Sequence, residues 1–386
     1  MRIYLVMIRL SNDRITLRKW LIEYVESQHL ASTAAKLFAI SRQTATRELN
    51  KLVAEGVVTA SGKTQGRKYT LSLLAWVNKE IPVTPDLEED VVWRQELAPH
   101  FADARPNVRD VCQYGFTEMF NNVVAHSGAS SVQVRLMRNA KVIRLWVTDN
   151  GVGVFKRIQQ KLGLDDEHHA ILELCKGKLT TDPAHHSGEG VFFTSRMFDR
   201  FEMVSGRLAF ISIPEAQPQS GDWLIDVDTK EHPEIQGTLV FLEIDPESPR
   251  VMQAVFDQFA APNNNYGFTK TCIPVHLAKY GPEQLMSRSQ AKRLLAHFDR
   301  FVQVILDFQG IELIGQAFAD EIFRVYKNEH PAVNIIPIRA SEQVQAMISR
   351  ALGAKDAGPF LPGMEPSEEE KRRQTDRENN GSGGSS

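Results

Sequence analysis

Along residues 12–80 the apolar positions fall into three helical stripes followed by two alternating runs. Leu17, Trp20, Leu21 and Val25 recur at helical spacing behind Thr16, which is placed to cap the first helix. A second, short helix is predicted over about 32–38, where the small Ala34 and Ala35 permit close packing. Ser41 is the N-cap expected for a third helix running to Ala54, with Ala45, Leu49 and Leu52 on its buried stripe and Gly56 as its terminator. The runs 57–60 and 68–72 flank a Gly62–Gly66 tip and read as a hairpin. An acidic, proline-containing stretch, 81–94, reads as a linker.

Residues 95–262 mix the two periods. A helix carries Glu118, the runs 131–136 and 142–147 alternate, and further strands are predicted at about 201–213, 223–228 and 237–244. Between them the polar, His-rich segment 155–187 reads as a long, lid-like loop. Residues 263–355 alternate strand and helix. The apolar run Phe301–Phe308 is expected to be a strand buried on both faces, followed by a helix over about 315–327, a strand at 334–338 and a helix over about 341–352. The tail 356–386, rich in Pro, Gly, Ser and mixed charge, is expected to be disordered. The fold class predicted is multidomain α/β.

A chain of 386 residues with 42% hydrophobic content supports a sizeable core divided among domains. The net charge of -3 is unevenly spread: residues 1–80 hold 13 Lys and Arg against 6 Asp and Glu, and the remainder is acidic. Such asymmetry fits a nucleic-acid partner for the N-terminal segment. Cys112, Cys175 and Cys272 lack ligand or redox spacing and read as core thiols of a reducing compartment. No apolar run reaches membrane-spanning length, and Met1–Ile8 lacks a small-residue cleavage site, so a cytoplasmic location is expected.

Candidate chemistry lies in the middle segment. Glu118, Asn122 and His126 recur every four residues on one helix face, while Phe116, Phe120 and Val123 point elsewhere. Asp149-Asn-Gly151-Val-Gly153 and Gly188-Glu-Gly190 follow as glycine-punctuated loops. A carboxylate to orient water, a carboxamide oxygen for a hard cation, and glycine turns that admit phosphates together describe a nucleotide site. His168–His169 and His185–His186 invite a metal reading, but no cysteine or acidic spacing supports zinc, and none is assigned.

In order and spacing, Glu118-x3-Asn122-x3-His126, Asp149-x-Gly151-x-Gly153, Gly188-x-Gly190 and Gly237-Thr238 resemble the N, G1 and G2 boxes and closing Gly-Thr of the GHKL ATPases. That superfamily includes gyrase, the ninety-kilodalton heat-shock chaperones, histidine kinases and mismatch-repair proteins, and the resemblance covers roughly residues 95–245. It implies a Bergerat-type α/β sandwich that binds ATP with Mg²⁺. By the same resemblance Asn122 would coordinate Mg²⁺, Asp149 would accept from the adenine amine, and Thr238 would support Asp149 and the adenine through its hydroxyl. Gly151 and Gly153 would form the wall beside the base, and Gly188 and Gly190 would open a phosphate-binding helix. Glu118 stands where hydrolytic members keep the residue that polarises the attacking water. His126 occupies a position often basic in kinase members, and Lys176, Lys178 and His186 fall in the segment that would close over a γ-phosphate. No pair of long amphipathic helices precedes the Glu118 helix, which argues against a two-component sensor.

The N-terminal segment resembles winged helix-turn-helix repressors. Its third helix would present Arg42, Gln43, Thr46, Arg47 and Asn50, residue types suited to base edges and phosphates, and Lys63, Arg67 and Lys68 at the wing suit the DNA backbone. A winged helix used for protein contacts is the alternative. Residues 266–355 resemble STAS-like domains, related to anti-sigma-factor antagonists, on Val304-Ile-Leu-Asp307-Phe308, Gly310 and the helix around Phe318–Phe323. Where the antagonists carry a phosphorylated hydroxyl, this chain has Ile314-Gly315-Gln316-Ala317. Together the resemblances imply an ATP-switched, DNA-binding regulator, homodimeric, hydrolysing slowly, with a protein partner at the STAS-like domain. The competing readings are a serine/threonine protein kinase in a partner-switching system and a nucleotide-binding scaffold without turnover.

Overall fold

The computed structural model describes residues 16–62, 67–179, 188–214, 221–226, 234–260, 267–279 and 284–353. Three helices come first: Leu17–Glu23, Leu30–Leu37 and Arg42–Ala54. The Thr16 and Ser41 hydroxyls accept from the amides of Lys19 at 3.2 Å and Thr44 at 3.0 Å, satisfying donors that a first helical turn leaves without partners. The helices close on Leu21, Ala34, Ala45, Leu49 and Leu52, each fully buried leucine contributing roughly 1.5–3 kcal/mol. Strands β1 (Val58–Ser61) and β2 (Lys68–Leu71) pair as the expected antiparallel hairpin; its tip, 63–66, lies outside the described residues.

Beyond residue 74 the chain departs from the expected boundaries, which kept residues up to 80 with the N-terminal segment and gave 81–94 to a linker. Strand β3 (Ala75–Pro82) pairs along its length with β4 (Ser131–Arg138), so it forms the edge of a large sheet. Ala75 and Val77 point inward, but the exposed Asn78-Lys79-Glu80 run hides that alternation in the sequence. The sheet continues with β5 (Ile143–Asp149), β6 (Arg200–Gly206), β7 (Leu208–Ile213), β8 (Gly221–Asp226) and β9 (Ile235–Ile244). Its seven strands run antiparallel in the order β3-β4-β5-β9-β6-β7-β8. Alternate residues such as Val132, Val134, Leu145 and Val147 are buried with the helices Pro106–Asn122, Val154–Leu162, Glu167–Lys176 and Gly190–Met197 in one core.

Two of those helices occupy the segment expected to be a loop. Ala170 through Lys176 are all buried, and the polar members among them conceal the periodicity because Glu173 and Lys176 are buried as a pair at 2.6 Å. Residues 180–187, with His185 and His186, lie outside the described residues.

The C-terminal unit holds a parallel sheet of β10 (Lys270–Pro274), β11 (Gln303–Asp307) and β12 (Asn334–Ile338), with β11 in the middle. Val304, Leu306 and Asp307 are buried while Gln303 and Ile305 are half-buried, so the two-sided burial expected of this strand is complete on one face only. This unit shares one core with the large sheet layer through ring contacts, Phe192–Phe268 at 4.6 Å and Phe268–Phe301 at 5.3 Å. The N-terminal helices keep a separate core. Two exposed ion pairs, Lys19–Asp245 at 3.3 Å and Lys141–Glu23 at 2.9 Å, cross from them to the sheet layer, each worth about 0–1 kcal/mol. No helix among the described residues is long and apolar enough to cross a membrane. The tail 356–386 falls outside the described residues.

Candidate functional site

Glu118 and Asn122 sit near the end of the helix that begins on Pro106, where a missing amide costs no bond. Phe116 and Phe120 bury the other side of that helix, and Val108 and Val111 are buried nearer its start. The backbone then widens over Val123–Ser127 and leaves the helix at Gly128 with φ +66°. A cavity of about 320 Å³ opens beside this segment. Glu118, Asn122, His126, Asp149, Gly153, Gly188, Gly190 and Thr238 all line it, and Val147, Met203 and Val240 supply apolar wall. Gly151 is not on the lining; its amide donates to Asp149 Oδ1 at 2.8 Å.

Close approach accounts for two of the glycines. A β-carbon on Gly190 would stand 2.0 Å from Glu118 Oε2, so a larger residue there would push that carboxylate from its place beside the start of the Gly190–Met197 helix. Gly153 has φ +94°, and a β-carbon there would stand 2.5 Å from Ser205 Oγ.

Asp149 is 4% exposed. Burial pushes its carboxyl up, opposed by the Gly151 amide and by the amide and hydroxyl of Thr238. The Thr238 hydroxyl also accepts from Val154 N at 3.0 Å, which ties the aspartate to the start of the Val154–Leu162 helix. Burial likewise raises the carboxyl of Glu118, and the nearby Glu189 and Glu89 raise it further. Glu189 is itself raised by burial, with Lys178 pulling the other way.

The lysines expected to reach a phosphate are engaged elsewhere. Lys176 is 1% exposed; besides Glu173, its Nζ donates to the carbonyls of Arg293 at 3.1 Å and Ala296 at 2.9 Å. It therefore fastens its helix to the C-terminal unit and leaves no donor for a ligand. Lys178 Nζ donates to Arg300 O at 2.9 Å and lies 4.9 Å from the Phe301 ring centroid. His169 stands 3.6 Å from Glu173 and His168 3.9 Å from Asp166; among the described residues no group of three or more His, Cys, Asp or Glu could hold a metal ion.

On the helix Arg42–Ala54, Gln43, Arg47 and Asn50 are exposed on the side away from Leu49 and Leu52, and Arg42 is exposed at the first residue of the helix. Thr46 is half-buried, and its hydroxyl donates to Arg42 O at 2.9 Å. Arg67 and Lys68 are exposed, Arg67 lying 5.3 Å from the Tyr69 ring centroid; Lys63 lies outside the described residues.

Residues 290–345 match the family described as a STAS-like domain of unknown function (DUF4325). The C-terminal unit carries a STAS-like domain. No curated protein matches this chain. In the STAS-like domain the end of β11 is fixed by two hydrogen bonds from Arg339 to Asp307, one of them 2.8 Å long. Gly315, ahead of the Gln316–Asp320 helix, donates its amide to Leu285 O at 2.8 Å. A β-carbon at Gly315 would stand 2.6 Å from Met286 O, so the position has neither a hydroxyl nor room for one. The edge of the domain that meets the cavity-bearing layer also carries His297, whose Nδ1 lies 2.8 Å from Glu173 Oε2.

The sequence reading missed Arg157, Asn121 and Ser127, which also line the cavity. A signal for Arg157 existed, since Gly153 opens a helix and Arg157 lies one turn along it. Taking that stretch for a loop concealed it.

Proposed function

We propose that this chain is a cytoplasmic ATP–Mg²⁺-binding regulator of GHKL type, in which nucleotide occupancy is coupled to DNA binding by an N-terminal winged helix. The observation that carries the reading is the convergence of the Glu118–His126 helix face, both glycine loops and Thr238 on one cavity of about 320 Å³. That size suits a small ligand, for which sites run roughly 300–1,000 Å³.

The residues fit the roles. Asp149 is a buried carboxylate whose hydroxyl and amide partners leave it acceptor capacity toward the cavity, as an exocyclic amine requires. Asn122 offers a hard oxygen and would hold Mg²⁺, which when bound supplies positive charge to the phosphates. The Gly190–Met197 helix begins beside Glu118, and its first amides are free of helical partners, as an anion site needs. Glu118, with its carboxyl raised by burial, is a stronger base once ionised and suits slow activation of water.

The winged-helix reading rests on the exposed Arg42, Gln43, Arg47 and Asn50 of a capped, 13-residue helix followed by a hairpin. The STAS-like domain is read as a docking module for a protein partner. The alternative, a serine/threonine protein kinase, loses its nearest substrate, because Gly315 offers no hydroxyl.

ATP binding and phosphate release in the presence of Mg²⁺ test the proposal. Asn122→Ala is expected to lose binding, and Glu118→Ala to keep binding and lose turnover. A wild type that binds no adenine nucleotide overturns the reading, and DNA affinity indifferent to saturating ATP removes the coupling.

A further inference from the structure

The stretch 174–179 faces two ways. Leu174 and Leu179 line the cavity, while Lys176 and Lys178 between them are bonded to the STAS-like domain. The chain leaves the helix Glu167–Lys176 through two residues of positive φ, Gly177 at +77° and Lys178 at +55°. Glycine enters that region freely, whereas a lysine enters it at a cost and stays only where its surroundings hold it there. At Lys178 the holder is Arg300 of the STAS-like domain. Arg300 Nη1 donates to Lys178 O at 2.9 Å, and Lys178 Nζ donates back to Arg300 O at 2.9 Å. The same Nζ lies 4.9 Å from the Phe301 ring centroid and 5.6 Å from that of Phe268. Arg300 itself is exposed and is not on the cavity lining.

We infer that Arg300 is a positioning residue for the cavity: by holding Lys178 in the left-handed region it sets Leu179 in the wall, so the STAS-like domain tunes how well the cavity accepts its ligand. The inference rests on the nucleotide reading above for the identity of that ligand, and adds a route by which the STAS-like domain acts on the site. Without the clasp, Lys178 relaxes toward negative φ and the wall is formed in only a fraction of molecules. The apparent affinity then falls by that fraction.

The test is calorimetric titration of the full chain with ATP and Mg²⁺, for wild type, Arg300→Ala, Lys178→Gly, Lys178→Ala and the double variant of Arg300→Ala with Lys178→Gly. Arg300→Ala is expected to weaken ATP about three- to tenfold, the range of one hydrogen bond. Lys178→Gly and Lys178→Ala both lose the ammonium, but only glycine enters the left-handed region without help, so Lys178→Ala should bind ATP more weakly than Lys178→Gly. Adding Arg300→Ala to Lys178→Gly should change ATP affinity by less than about twofold, because the conformation no longer needs the clasp. Wild-type affinity in Arg300→Ala, a full loss that persists in the double variant, or equal binding by Lys178→Gly and Lys178→Ala each overturns the inference and leaves the nucleotide reading intact. A wild type that binds no ATP overturns both. If Lys178→Gly does not fold, Lys178→Asn takes its place in each comparison, since asparagine also tolerates the left-handed region.

Discussion

Glu118 illustrates how a residue can be set against the stability of its own fold. Its carboxyl is held above the ordinary range by burial and by two neighbouring carboxylates. A folded chain that binds this proton more tightly than the unfolded chain loses stability as the pH rises through the carboxylate range. Glu118→Gln is therefore expected to raise the thermal midpoint slightly at neutral pH. The gain should vanish as the pH falls below that range, where Glu118 is protonated in both states. Phosphate release by the same variant should drop by about a hundredfold or more. Thermal melts across the acid-to-neutral range, beside a phosphate-release assay, check both halves; a lowered neutral midpoint would mean that the carboxylate is structurally paired. The motif residues Glu118, Asn122, Asp149, Gly188 and Gly190 were legible in the sequence because their spacing follows a helical turn or a tight loop. The contact between Gly190 and Glu118 was not, since it joins residues 72 positions apart by their numbering.

Among the elements, the helix Glu167–Lys176 joins the cavity to the STAS-like domain. Leu174 lines the cavity, while Lys176 and Glu173 bind the STAS-like domain through Arg293 O, Ala296 O and His297. Burial alone would raise the carboxyl of Glu173, but His297 and Lys176 outweigh it and hold it low. Its contribution is thus present above the ordinary carboxylate range and lost as the pH falls through the lowered value. Lys176→Met removes the lysine partner of that buried carboxylate and leaves it to His297; it is expected to cost up to about 3–5 kcal/mol, most of it recovered when Glu173→Gln is added. Urea denaturation of the single and double variants measures this directly; additive losses would show that the two residues do not act as a pair. On the helix Arg42–Ala54 the balance differs, because Arg47 is exposed. Arg47→Ala should leave stability within about 0.5 kcal/mol and lower DNA affinity roughly tenfold, with a shallower salt dependence. Fluorescence anisotropy with a DNA duplex reads the effect, and an unchanged affinity would remove this helix face from the interface.

At the scale of the molecule, the chain divides unevenly. The sheet layer and the STAS-like domain share one aromatic core around Phe192, Phe193, Phe268 and Phe301, whereas the N-terminal helices close on a core of their own. Calorimetry is accordingly expected to give one large transition for residues beyond 74 and a separate, smaller one for the N-terminal unit. Addition of ATP–Mg²⁺ should raise the larger transition and leave the smaller one nearly fixed. A single transition for the whole chain would show that the N-terminal unit is held far more tightly than exposed ion pairs allow. The shared core joins the cavity wall to the STAS-like domain through packed side chains, whereas the N-terminal unit meets the sheet layer through exposed ion pairs.

What the sequence determined by itself was local. Caps at Thr16 and Ser41, the stripe Ala45–Leu49–Leu52, the alternation in β4 and β5, and the order of the motifs all follow from chemistry repeated over a few residues, which a chain states directly. The tertiary structure alone decided where those pieces meet. It converted 155–179 from an expected loop into two helices, because buried charges that satisfy one another look solvated in sequence. It drew 75–82, expected to end the N-terminal segment and begin the linker, into a sheet edge, because an edge strand with one open face tolerates Lys79 and Glu80. It turned Lys176 away from the cavity and Arg157 toward it, since the direction of a long side chain depends on the elements packed around its helix.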